Sequence, residues 1–202
     1  MLWYRLNLVS VFCMIGLVSL IALANFADAQ DTDKSAVYDI VEPPSCTNDK
    51  GQTVRFIDRG DAKAAMAAGM AGKDGQGNPV VYRSNYAATV PDFQKFIDLH
   101  ECAHHQTGDV DRPHPPRNGP DHLMNESISD CVAILRLRDE EGYDEAGYQR
   151  VVDALRAEMT KIGFPEISIS SRTSNIENCF KRDGATQDFI DGILERRGLL
   201  PK

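Results

Sequence analysis

Two histidines stand four residues apart in His100-Glu101-Cys102-Ala103-His104. A helix turns about 100° per residue, so both imidazoles fall within about 40° of each other on one face and can grip one metal ion. Glu101 projects about 100° away and can reach a water on that ion. Zinc lowers the pKa of such a water towards about 7, where a carboxylate can take its proton. A catalytic zinc wants a third protein ligand, and a candidate follows in Asn125-Glu126-Ser127-Ile128-Ser129-Asp130. Glu126 lies 22 positions after His104, and Glu126 and Asp130, at i and i+4, share a helical face. One carboxylate can bind metal while the other orients a histidine from behind.

This pair of motifs resembles the gluzincin metallopeptidases, whose pattern is H-E-x-x-H followed some twenty residues later by N-E-x-x-S-D or E-x-x-A-D. His100, Glu101, His104, Asn125, Glu126, Ser129 and Asp130 carry the match, over roughly positions 80–140. The resemblance implies that His100, His104 and Glu126 bind one zinc ion, that Glu101 is the general base, and that Asp130 holds His100. It also implies a zincin-like fold, with a peptide or protein as substrate. Metzincins are excluded by position, because Thr107 and Val110 stand where they need a glycine and a third histidine.

The elements that must position these groups can be read from pattern. Thr89, Pro91 and Asp92 are start signals for the active-site helix, and Gly108 ends it. Phe93, Phe96, Ile97, His100, Ala103 and His104 form one stripe, so the histidines continue an apolar face. Cys102 lies about 200° from His100 and faces away from the metal. The glutamate helix spans 120–141. Leu123, Glu126, Asp130, Ala133 and Leu137 share one face, and Ile128, Cys131, Val132 and Leu135 the other, so it belongs in the middle of the domain. Two carboxylates on a buried face need a cation. The alternative is an arginine, for which Arg136 and Arg138 lie on the wrong faces of the same helix.

Around these, residues 53–57 and 80–83 read as strands, and 73–79 as a turn whose glycines do not form a phosphate loop. The resemblance implies that the second strand is a sheet edge beside the active-site helix, where it could pair with an extended substrate; the alternative is an ordinary structural strand. Residues 61–71, rich in alanine with Met66 and Met70, read as a helix broken at Gly72. The proline-rich loop 109–119 should rim the cleft. A third helix is capped by Asp144, carries Tyr148, Val151, Val152, Leu155, Met159 and Ile162, and ends at Gly163. Two short helices follow, one with Ile176, Cys179 and Phe180, the other with Phe189, Ile190, Ile193 and Leu194. The fold class is therefore α+β: a mainly helical domain with a small N-terminal sheet.

The 202 residues make one domain once a leader is removed. Residues 1–29 read as a signal peptide: Arg5, an apolar run over 8–24, and Ala27-Asp28-Ala29 before a cleavage that leaves Gln30 first. An uncleaved membrane anchor is the competing reading, with N-terminal sequencing as the discriminator. Residues 30–45 read as a linker or short pro-segment, and 46–202 as the zincin-like domain. The protein is expected to be secreted or periplasmic, without stable membrane insertion after signal removal. Cys46, Cys102, Cys131 and Cys179 then read as disulfides, with three pairings open. A net charge of −8 with no basic stripe argues against a nucleic-acid partner.

The helper that stabilises charge on the scissile carbonyl is not legible; His105, His114, His122, Tyr143 and Tyr148 are the candidates, and each histidine also reads as an ordinary surface residue. Two other function classes stay open: a non-catalytic secreted protein stabilised by a structural zinc, and a small helical interaction domain without metal. Glu101 argues against the first, since a structural site needs no base.

Overall fold

The structure, a computed structural model, describes residues 41–59, 69–84 and 91–200. The expected signal segment, most of the 30–45 linker, the Thr89 cap and positions 61–68 lie outside them. The described part is α+β. Its sheet consists of β1 (Arg55–Arg59), β2 (Gly69–Lys73) and β3 (Pro79–Ser84), and its helices are α1 (Pro91–Gln106), α2 (Pro120–Asp139), α3 (Glu145–Ile162), α4 (Glu166–Phe180) and α5 (Thr186–Arg196).

Strand order is β1-β3-β2, with β1 parallel and β2 antiparallel to β3. This corrects two sequence expectations. The strand at 80–83 is central rather than an edge, because Val80 and Val81 are fully buried and both sides of β3 are paired. The outer strand on one side is β2, and its residues 69–71 had read as the end of a helix. Alanine propensity is local, whereas Gly69 is small enough for the strand to lie against α1 while pairing with β3. A Cβ on Gly69 would stand 2.6 Å from Glu101 Cγ and 3.0 Å from Ile97 Cγ2. The first expected strand is found at Arg55–Arg59, with Thr53 bridging to Thr47.

α1 is buried almost all round. Its expected stripe meets α2 and α3 through Phe93, Phe96 and Ile97. The opposite side meets the sheet, where Cys102 packs with Cys46, Val54 and Val81. α2 is central: residues 129–137 are buried on every face, with Ala133, Ile134 and Leu137 in the main core and Val132 against Ile190 and Leu194 of α5.

Asp144 caps α3 by accepting from Gly147 N at 2.9 Å, and Gly163 ends it in the left-handed region (φ +89°) that favours glycine. Ile162, expected in its buried stripe, is half exposed at the helix end. α4 has 15 residues and is longer than the short helix expected.

Two disulfides select one of the three pairings: Cys46–Cys102 fastens the segment before the sheet to the back of α1, and Cys131–Cys179 joins α2 to α4. Within the expected linker, residues 41–45 lie against the domain. Arg83 Nη2 donates to Val41 O (2.7 Å) and Arg136 Nη2 to Ser45 O (3.0 Å). Among the described residues, no helix is long and apolar enough to cross a membrane.

Candidate metal centre

The one-turn spacing of His100 and His104 on α1 aims both Nε2 atoms at the same point, 3.3 Å apart. The first half of α2 crosses there and brings Glu126, with Oε2 3.3 Å from His100 Nε2 and Oε1 3.6 Å from His104 Nε2. One atom from each residue lies within 4.8 Å of the others, and the three form a group that could hold a metal ion. The side chains are 4%, 13% and 34% exposed respectively, so the site is closed behind the histidines and open to solvent beside Glu126.

The tautomers follow from what lies behind each ring. His100 Nδ1 is 2.8 Å from Asp130 Oδ1, and His104 Nδ1 is 3.2 Å from Asp109 Oδ2. An ionised carboxylate only accepts, so each Nδ1–H donates and each Nε2 offers a lone pair. Two lone pairs and a carboxylate then converge, an arrangement that repels itself unless a proton or a cation lies between. Two imidazoles and one carboxylate form a donor set that could hold a divalent metal ion, with one side open to solvent. The residues fit such an ion.

The electrostatics agree. Burial would lower the His100 pKa, but hydrogen bonds and charge from Asp130 and Glu126 prevail and raise it to about 10. Burial would raise Glu126, yet His100, His104 and Arg172 hold its carboxyl well below the usual carboxylate range. Asp130, 1% exposed, is likewise pushed up by burial but brought down by Arg172 and His100. The same carboxylates that hold a proton on His100 would favour a metal cation in its place.

Three residues of this assembly escaped the sequence. Arg172 of α4 grips Asp130 bidentately, Nε to Oδ2 at 2.7 Å and Nη2 to Oδ1 at 2.8 Å. An arginine thus does satisfy Asp130, as the alternative reading allowed, but it comes from another helix. Arg136 instead pairs with Glu140, and Arg138 donates to carbonyls at Phe180, Arg182 and Gly184. Asp109 opens a 3-10 turn just past Gly108, and Arg197 follows α5; their carboxylate and guanidinium are 2.7 Å apart. Asp109 had one sequence signal, an acidic residue five places after His104 across a glycine. The arginines had none.

Glu101 is not part of the three-residue group. Its Oε2 accepts from Ala71 N at 2.7 Å, which fastens it to the strand β2; its other oxygen has no hydrogen-bond partner among the described residues. The candidate helpers are mostly employed elsewhere. His105, which also read as a surface residue, is 3% exposed and donates Nε2–H to Val80 O at 2.9 Å, beneath the sheet, and burial lowers its pKa. Tyr143 donates to Asp92, and Tyr148 stacks on Phe180 with ring centroids 4.8 Å apart. His114 is exposed and His122 partly so. No known protein family, curated protein or solved structure matches the chain.

Proposed function

We propose that the chain is an exported zinc-dependent metallopeptidase of gluzincin type, hydrolysing peptide bonds with Glu101 as general base. The observation that carries this reading is the convergence of His100 Nε2, His104 Nε2 and Glu126 on one point with solvent on one side. His100, His104 and Glu126 hold the ion; Asp130 and Asp109 fix the histidine rings. Zinc bound there supplies an acidified water and an electrophile for the scissile carbonyl. Glu101 takes a proton at its carboxylate and returns it to the leaving amine. The contact with Ala71 N holds Glu101 beside β2, which among the described residues is an outer strand of the sheet and so a candidate to pair with an extended peptide. Two disulfides support an oxidising, extracytoplasmic destination.

A zinc-stabilised binding protein without catalysis is the second reading. It is favoured by one contact, the same bond to Ala71 N, which occupies half of the base's carboxylate. The experiment that separates the two compares wild type with Glu101→Gln for zinc content and for cleavage of a mixed peptide library. The peptidase reading expects full zinc in both and cleavage by wild type only. Zinc without cleavage in wild type supports the binding protein; a protein isolated and reconstituted without zinc defeats both.

A further inference from the structure

Arg197 stands 93 positions after His104 yet touches the parts that hold it. Its Nη1 lies 2.7 Å from Asp109 Oδ1 and donates to Thr107 O at 2.5 Å. Its Nη2 donates to Asn125 Oδ1 at 2.9 Å, on the residue before Glu126. One planar fork therefore spans the turn that carries Asp109, the carboxylate behind His104, and the helical turn that carries the third ligand. Asp109 is also fixed by Thr107 Oγ1 (3.3 Å), and Thr107 is fully buried.

The arginine side chain is 9% exposed and Asp109's 7%, so water screens the pair little. The chain just beyond, at Leu199, closes over Gly108: a Cβ there would stand 2.4 Å from Leu199 Cδ1, and φ of +76° already favours glycine. The C-terminal part of the described chain is thus packed onto the turn that bridges the two ligand helices.

We infer that Arg197 is a positioning residue of the metal centre, setting divalent-cation affinity by holding Asp109 against His104 and Asn125-Glu126 against both. The inference rests on the proposed metal reading and goes beyond it. A lysine carries the charge but not the fork, and cannot reach Asp109, Thr107 O and Asn125 together.

The test uses the full chain, with zinc affinity measured by competition against a chromophoric chelator and site geometry by the visible absorption of the cobalt(II) form. Arg197→Ala and Arg197→Lys should each bind zinc about 10–100-fold more weakly, with altered cobalt bands. The exposed neighbour Arg196→Ala should match wild type in both. Circular dichroism of the metal-free chains at the working temperature shows which variants are folded. If Arg197→Ala is not, Arg197→Lys and Asn125→Ala decide, the latter cutting one arm of the fork. A folded Arg197→Ala or Arg197→Lys with wild-type affinity and cobalt spectrum overturns the inference. A wild type that takes up neither ion overturns the metal reading itself, so the two failures are distinct.

Discussion

His100 and His104 present the same nitrogen to the same point, and each is backed by a carboxylate that is paired to an arginine. The two braces are built differently. Behind His100, Asp130 sits inside α2 at 1% exposure and Arg172 grips both its oxygens, with Cys131–Cys179 joining the two helices concerned. Behind His104, Asp109 stands on a 3-10 turn at a longer 3.2 Å, and its arginine follows the last helix with no disulfide in support. The first carboxylate is built into a core helix, with an arginine 27% exposed; the second stands on a turn beyond the end of its helix, with an arginine only 9% exposed. Breaking the first should cost fold and metal together, whereas breaking the second should cost mainly metal.

Asp130→Ala should have the largest effect. It strands the His100 Nδ1–H in the interior and removes the partner of Arg172, a loss on the order of 3–5 kcal/mol, and zinc uptake should fail with it. Chemical denaturation of the metal-free chain reads the first loss; stability equal to wild type would mean that Asp130 is no core strut. Glu126→Ala comes next. It should abolish stoichiometric zinc binding while the metal-free chain stays folded, because Glu126 is the one ligand with a third of its side chain in solvent.

Asp109→Asn should be milder. Arg197 keeps Thr107 O and Asn125 as partners, so the melting temperature should move little while zinc affinity drops about 10–100-fold. Equal stability losses for Asp109→Asn and Asp130→Asn would erase the contrast between the braces.

The pH dependence sharpens the same point. In the metal-free chain the His100 pKa is raised to about 10. That proton-linked stability is fully present below the ordinary histidine value near 6.5 and is lost as pH rises through about 10. Over that range zinc must displace the proton, so apparent affinity should rise about tenfold per pH unit. Calorimetry in buffers of different ionisation enthalpy should count about one proton released; a count of zero would mean that His100 is already neutral. The smallest effect should be at Gly69. If Glu101 is the base as proposed, Gly69→Ala should leave zinc binding intact and lower the rate of peptide cleavage, because the added carbon meets Glu101 Cγ and must move that side chain.

How much of this was legible follows from where each group gets its position. His100, His104, Glu126 and Asp130 are placed by helical spacing, which the sequence displays directly, and the bounds of α1, α2 and α3 came from caps and glycines close to the residues concerned. Arg172 and Arg197 reach the site only because α4 and α5 pack against α2, and no local pattern encodes that packing. β2 was misread for the complementary reason: its small residues suit a helix locally, while pairing with β3 and contact with α1 decide otherwise. The disulfide pairing was open because four cysteines on separate elements carry no information about which elements meet.

One consequence follows from where the two guanidiniums lie along the chain. A ribosome makes the candidate ligands first and their braces last: all three side chains that could hold the metal are complete by residue 126, Arg172 comes 46 residues later and Arg197 another 25 after that. A nascent or prematurely terminated product ending before position 172 would hold every ligand and neither counter-cation, so it would carry the motif pair without the machinery that aligns it.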